Sequence, residues 1–206
     1  MIFAHWRARR ASKAVIEQIL GEIVAASRRP ALYESLGAPD RIDGRFELLA
    51  LHAGLVLRRL SGSGGPEREA KESRARRDSA ESERALADAI AQDLVDGVFA
   101  HFDDTLREMG HSDIAVAKRL KAMGRAFYGR NTAYGAALDE GSLARLAEAL
   151  RRNVYGAADK EAGRQAEALA RHVASLDAAL GAIPIEAFAA GRFRFPPGLV
   201  AAGDLT

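Results

Sequence analysis

The sequence predicts an all-α protein, a single-domain bundle of five to six helices with one mobile Gly/Ser-rich charged loop. Apolar residues recur every three or four positions in several long segments, which is the spacing of amphipathic helices. Aromatic residues make up only 6% of the chain while Ala and Leu are abundant, a composition that favours helix over sheet. A length of 206 residues is enough to bury one core without disulfide or metal crosslinks.

The first predicted helix covers residues 12–27 and follows a basic N-terminal segment, residues 1–11. One face of the helix carries the apolar residues Val15, Ile16, Ile19, Leu20, Ile23 and Val24. The N-terminal segment places Trp6 beside Arg7, Arg9 and Arg10, the composition of a membrane-surface anchor. Basic N-termini without a function are equally common, so peripheral membrane contact is one of two open interpretations.

A second helix is predicted over residues 45–60, after a short segment bracketed by Pro30 and Pro39 in which at most one helical turn is expected. This helix is apolar on two sides. Beside the broad apolar face runs a narrower ridge formed by Leu48, Leu51 and Leu55. A helix of this kind is either central in the core or offers its second ridge to a partner.

Residues 61–78 are predicted to form the mobile loop. The run SGSGGP at 61–66 ends the preceding helix, and the charged stretch after it contains no large apolar residue. The loop is expected to interrupt one domain rather than separate two, because the helix before it has too little partner surface alone.

Two long helices are predicted next, over residues 79–109 and from 114 to about 130. The first has an apolar residue at every fourth position and an acidic opposite face. The second carries a basic face, formed by Lys118, Arg119, Lys121, Arg125 and Arg130. This face is suited to the phosphates of RNA or of anionic lipid. It is also typical of a solvated surface, or of one that pairs with the acidic helix.

Two further helices, over residues 142–152 and 160–180, complete a helical domain predicted to span residues 12–181. The last segment, residues 182–206, is predicted to be a short turn followed by an extended tail.

Composition and motifs exclude several classes of function. The chain has no cysteine, which removes thiol catalysis and iron–sulfur sites, and its net charge of +2 is too balanced for a protein that coats DNA. No nucleotide-binding loop, zinc-protease motif or hydrolase motif is present. No catalytic residue, metal site or cofactor is therefore predicted. His52 could be a heme ligand or a base, but a buried histidine bonded to a backbone carbonyl is the favoured interpretation.

Three stretches of sequence resemble a known family. PDRIDGRFELLALH at 39–52 is similar to the family's hallmark, and DDTLREMGHSD at 103–113 to a second segment. A third segment matches VAKRLKAM at 116–123 with FYGR at 127–130, and RNVYG at 152–156 adds a weaker match. These segments occur in the family's order along residues 33–156, and the chain therefore resembles the ubiquinol–cytochrome c chaperone family.

The resemblance implies a non-enzymatic assembly factor for respiratory complex III. Its implied client is newly made cytochrome b or another subunit of that complex, and its implied partners are a small protein and the ribosome. The expected location is cytoplasmic, with peripheral inner-membrane contact as an option. An RNA- or ribosome-associated helical protein is the alternative function.

The client-binding residues implied by the hallmark are Arg45, Phe46, Glu47 and His52, extended by the ridge of Leu48, Leu51 and Leu55. The third motif contributes the aromatic residues Phe127 and Tyr128 beside the basic face. A structural role is equally open for these residues. Arg45 with Glu47, and Arg107 with Glu108, would then be ion pairs that stabilise helix packing.

Overall fold

The computed structural model describes residues 2–62, 74–156 and 162–197, with no strand among them, which confirms the all-α prediction. The described ranges contain six helices of eight or more residues and two of five residues. In chain order they are α1 (Ile2–Ser27), α2 (Pro30–Glu34), α3 (Ile42–Leu60), α4 (Arg74–Glu108), α5 (Asp113–Asp139), α6 (Leu143–Leu150), α7 (Ala162–Gly181) and α8 (Ile185–Ala189). A π-helical turn, Arg151–Tyr155, continues α6. None of the described helices combines the length and the apolarity needed to cross a membrane.

The helices are longer than predicted where the sequence contains no strong terminator. Helix α5 continues past residue 130 to Asp139, because the next positive-φ glycine is Gly141. Residues 74–78, predicted as part of the loop, belong to α4. They follow the last Gly and Pro of that stretch, and the Arg and Ala residues at 74–77 are good helix formers. Most of the predicted loop, residues 63–73, lies outside the described residues.

Helix α3 is the central element of the bundle. It packs against α1, α4, α5 and α7, so both of its apolar sides are covered. Leu48, Leu51 and Leu55 are at most 2% exposed. The ridge that was predicted for a partner is therefore largely used inside the protein, and central packing is the correct alternative.

The chain after α8 closes the bundle instead of leaving it. Residues 192–197, here called the C-terminal strap, have no regular secondary structure but bury Phe193 and Phe195. Gln18 Nε2 donates a hydrogen bond of 2.5 Å to the Phe193 carbonyl, and Arg29 Nη1 donates one of 2.7 Å to the Pro196 carbonyl. The core thus extends well beyond the predicted boundary at residue 181.

Gly44 is required by a close approach of the backbone. A Cβ atom at this position would overlap the Pro39 carbonyl oxygen, which cannot move aside as a side chain could. We expect Gly44→Ala to lower the free energy of unfolding by about 1–3 kcal/mol. Gly129→Ala is the control, since an added Cβ there meets no atom within 4 Å. It should raise stability by up to about 1 kcal/mol through helix propensity. Urea unfolding of both variants tests this, and changes of the same sign would contradict it.

Candidate functional site

An open groove of about 580 Å³ lies between α3, α4 and α5. Its floor is formed by Leu51, Leu55 and Phe127, each at most 2% exposed. Tyr128 stands at its edge with 56% of its surface exposed. Four residues selected from the sequence, two leucines of the ridge and the two motif aromatics, therefore meet in one place.

The walls of the groove are built largely from small and apolar residues. Helix α4 contributes Ala91 and Val95, and the last turns of α5 contribute Gly135, Ala136 and Leu138. Small residues allow the backbone of a bound segment to come close, as in packed helix pairs. The groove can hold apolar side chains of a helix or an extended segment.

One end of the groove is held by an ion-pair network. Arg58 of α3 is 11% exposed and bonds to two carboxylates, Asp139 of α5 at 2.6 Å and Asp177 of α7 at 3.0 Å. Burial raises the pKa of Asp177, while Arg58 opposes that shift. This network connects three helices, α3, α5 and α7, at that end of the groove.

Several groove residues were missed in the sequence. Asn131, Thr132 and Gly135 lie beyond the predicted end of the helix at about residue 130. The helical spacing of Phe127, Tyr134 and Leu138 was a usable signal for the longer helix.

The hallmark residue Glu47 forms a buried ion pair with Arg130. Glu47 Oε1 lies 2.6 Å from Arg130 Nη2, and the two side chains are 7% and 22% exposed. Burial raises the pKa of Glu47 to about 7, with Arg130 pulling in the opposite direction. The Arg130 guanidinium also lies 5.7 Å from the ring centroid of Phe46. Arg130 therefore joins α5 to α3 and does not belong to the exposed basic face.

The ion pairs predicted within each motif do not form. Arg45 bonds to Asp40 at 2.6 Å, and Arg107 bonds to Asp103 at 2.6 Å and to Asp113. Residues one or two positions apart on a helix point in different directions, so neither predicted pair could close.

His52 is a core residue. It is 1% exposed, and its Nδ1 donates a hydrogen bond of 2.7 Å to the Leu48 carbonyl. Its ring centroid lies 5.2 Å from that of Phe195 in the C-terminal strap. Burial lowers the pKa of His52 to about 4, so its imidazole is neutral at pH 7. The interpretation as a carbonyl-bonded histidine is confirmed, and a role of His52 in client binding stays a prediction.

The basic face consists of four exposed cations of α5. None of them forms an ion pair with any residue that the structure describes, so they do not pair with the acidic helix. They are Lys118, Arg119, Lys121 and Arg125. Side chains of the N-terminal segment, including Trp6, lie outside the described residues. In the described part of the chain, no group of three or more His, Asp or Glu side chains is placed to hold a metal ion.

Two comparisons with known proteins found matches. The family model for the ubiquinol-cytochrome c chaperone matches residues 34–195, which include the groove, the Glu47–Arg130 pair and most of the strap. The crystal structure of the Cbp3 homolog from Brucella abortus is similar over 96% of this chain and 97% of that chain. The two sequences are 33% identical, and the TM-score is 0.73. A comparison with curated protein sequences found no match. The chain belongs to the ubiquinol–cytochrome c chaperone family.

Proposed function

We propose that this protein is a non-enzymatic chaperone for the assembly of ubiquinol–cytochrome c reductase, and that its client is newly made cytochrome b. Family membership supports the role in complex III assembly. The client is proposed to place an apolar segment in the groove between α3, α4 and α5. A small partner protein or the ribosome would act beside it, and the basic N-terminal segment would contact the inner-membrane surface.

The groove is the observation that carries this proposal. A membrane subunit presents apolar helices that need cover until they are assembled, because lipid-facing side chains associate non-specifically in water. The groove has an apolar floor at Leu51, Leu55 and Phe127 and small residues along α5, which suits an apolar helix. Its exposed aromatic, Tyr128, would pack against the client at the edge.

Filling the groove should abolish client capture without unfolding the protein. At Gly135, a new Cβ meets only Arg58 Nη1, at 3.7 Å, so Gly135→Leu can be accommodated with its side chain in the groove. Gly129→Leu is the matched control on the same helix, at an exposed position that does not line the groove. We expect Gly135→Leu to reduce recovery of cytochrome b by about tenfold or more, as for a lost central contact of an interface.

The measurement is a tagged pull-down from detergent-solubilised membranes of the native host, with mass spectrometry of the captured proteins. Gly129→Leu should recover as much cytochrome b as the original protein. Equal recovery by both variants would contradict the groove as the client site. Absence of cytochrome b from every sample would contradict the choice of client.

The exposed cations of α5 favour one alternative, an RNA- or ribosome-associated function. Replacing Lys118, Lys121 and Arg125 by alanine removes three unpaired charges from one side of the helix. If these residues bind phosphates, RNA affinity should fall, and the slope of log K against log salt should decrease by about two to three. An unchanged slope would rule out this use of the basic face.

A further inference from the structure

A second, smaller pocket lies at the end of the bundle where α3 begins and α4 ends. Its volume is about 210 Å³, and it shares no lining residue with the groove. Its floor is apolar, since Leu49, Phe102 and Leu106 are at most 8% exposed. Its mouth is also apolar, with Ile42 62% and Met109 41% exposed. The exposed side chain of Ile42, at the start of α3, therefore extends the apolar surface of the pocket to its mouth.

The charged side chains that line this pocket are Arg28 and Arg45, and no carboxylate is among its lining residues in the described part of the chain. His101 also lines it, and burial lowers the pKa of its imidazole. Arg45 is already bonded to Asp40 at 2.6 Å. Arg28 is exposed and forms no ion pair with the residues that the structure describes. One cation at the rim is thus available to an anionic group.

We propose that this pocket binds an anionic amphiphile, with an aliphatic chain on the floor between α3 and α4 and a carboxylate or phosphate head on Arg28. The ligand is either a free fatty acid or a phospholipid whose acyl chain enters the pocket. Charge complementarity excludes a cationic head, and the apolar floor excludes a small hydrophilic anion as the preferred ligand. Because the pocket is separate from the groove, the inference does not rest on the proposed function.

The size of the pocket selects the probe. A volume of about 210 Å³ holds roughly seven groups of the size of a water molecule, at about 30 Å³ each. Octanoate therefore has a chain of suitable length. Two controls separate the contributions: octanol has the chain without the charge, and acetate has the charge without the chain.

The chain offers a site-specific signal for this binding. It contains three methionines, and two of them, Met109 and Met123, line the pocket. With methyl-labelled methionine, NMR of the full chain should show octanoate shifting these two resonances until the site is saturated. Octanol should bind more weakly, and acetate should not shift the two signals.

Two variants, each replacing one arginine by an uncharged glutamine, test the role of Arg28. Arg28→Gln should weaken octanoate binding about fivefold, as for loss of a charge-assisted hydrogen bond at a partly exposed site. Arg41→Gln is the matched control, because Arg41 is exposed near the same end of the bundle and does not line the pocket. Arg41→Gln should leave the affinity unchanged.

Vesicle flotation identifies the source of the ligand. Flotation with phosphatidylglycerol but not phosphatidylcholine vesicles, lost in Arg28→Gln, assigns the site to a phospholipid. Octanoate binding without flotation assigns it to a free fatty acid. The proposal is overturned if the Met109 and Met123 resonances do not respond to octanoate. It is also overturned if octanol binds as tightly as octanoate, or if Arg41→Gln weakens binding as much as Arg28→Gln.

Discussion

Replacing Arg130 by alanine is expected to lower the free energy of unfolding by about 3–5 kcal/mol, because it leaves the carboxylate of Glu47 buried without a partner. Glu47 is 7% exposed, and its bond to Arg130 Nη2 is the ion pair that it makes among the described residues. A carboxylate in that position cannot recover its hydration without opening the contact between α3 and α5. Urea unfolding at pH 7.5 measures the loss.

Arg125→Ala is the control for this experiment. Arg125 lies on the same helix as Arg130, is exposed, and forms no ion pair with the described residues. Its replacement should change the free energy of unfolding by less than about 0.5 kcal/mol. Equal effects of the two variants would show that the Glu47–Arg130 pair does not contribute as the geometry implies.

A double variant separates the pair from the charge that is left behind. The buried pair is incompletely bonded, since Glu47 Oε2 and two nitrogens of Arg130 have no hydrogen-bond partner among the residues that the structure describes. Replacing both residues, as Glu47→Gln with Arg130→Met, should therefore restore most of the stability lost in Arg130→Ala. The loss in Arg130→Ala should also be larger at pH 8.5 than at pH 6, because Arg130 lowers the pKa of Glu47 and its removal makes the buried carboxyl take up a proton at a higher pH than in the original protein. A loss that is constant with pH would contradict this explanation.

The sequence was sufficient for the helices and for the choice of motifs, because both depend on local patterns. Apolar residues at helical spacing located α1, α3, α4 and α5, and the hallmark around Glu47 was recognisable by its order of residue types. Which motif residues contact each other is not a local property. Glu47 pairs with Arg130, which lies 83 positions further along the chain. The partner predicted from the sequence was Arg45, a neighbour of Glu47 within the hallmark.

Local sequence patterns also could not predict that the C-terminal strap packs on the bundle. Phe193 and Phe195 are separated by one arginine in a segment with three prolines nearby, which reads as an exposed tail. Only the tertiary structure reveals that the strap packs beside α1, where Gln18 of α1 and Arg29, which lies between α1 and α2, donate hydrogen bonds to its carbonyls. The strap covers His52, so a part of the chain with no predicted role determines the environment of a hallmark residue.

Acidification from pH 7 to pH 4 is expected to destabilise the fold through His52 by about 3 kcal/mol. Burial lowers the pKa of His52 to about 4 in the folded protein, from an ordinary value of 6.5 in the unfolded chain. Between these values the unfolded chain binds a proton that the folded protein does not. The stability from neutral His52 is therefore complete above pH 6.5 and is lost as the pH falls toward 4. His172, whose pKa burial also lowers to about 4, acts in the same direction.

Glu47 changes the stability in the opposite direction over an overlapping pH range. The pH dependence of the original protein alone therefore does not isolate the contribution of His52. The folded pKa of Glu47 is about 7, above its ordinary value of 4.5, and stability therefore rises as the pH falls from 7 toward 4.5. Comparing the stability of the original protein with that of a His52 variant removes the contribution of Glu47, which both proteins share. His52→Asn keeps a donor near the Leu48 carbonyl but has no group that titrates in this range.

Urea unfolding of both proteins at pH 7, 6, 5 and 4 gives the required difference. The stability of the original protein should fall by about 3 kcal/mol more than that of His52→Asn between pH 7 and pH 4. His101→Asn serves as control. His101 is only half-buried, so burial lowers its pKa less completely and the slope should change less. Parallel curves for the original protein and His52→Asn would mean that His52 is protonated in the fold. A charged imidazole would then lie against the ring of Phe195 in the strap, and this apolar contact disfavours the charge.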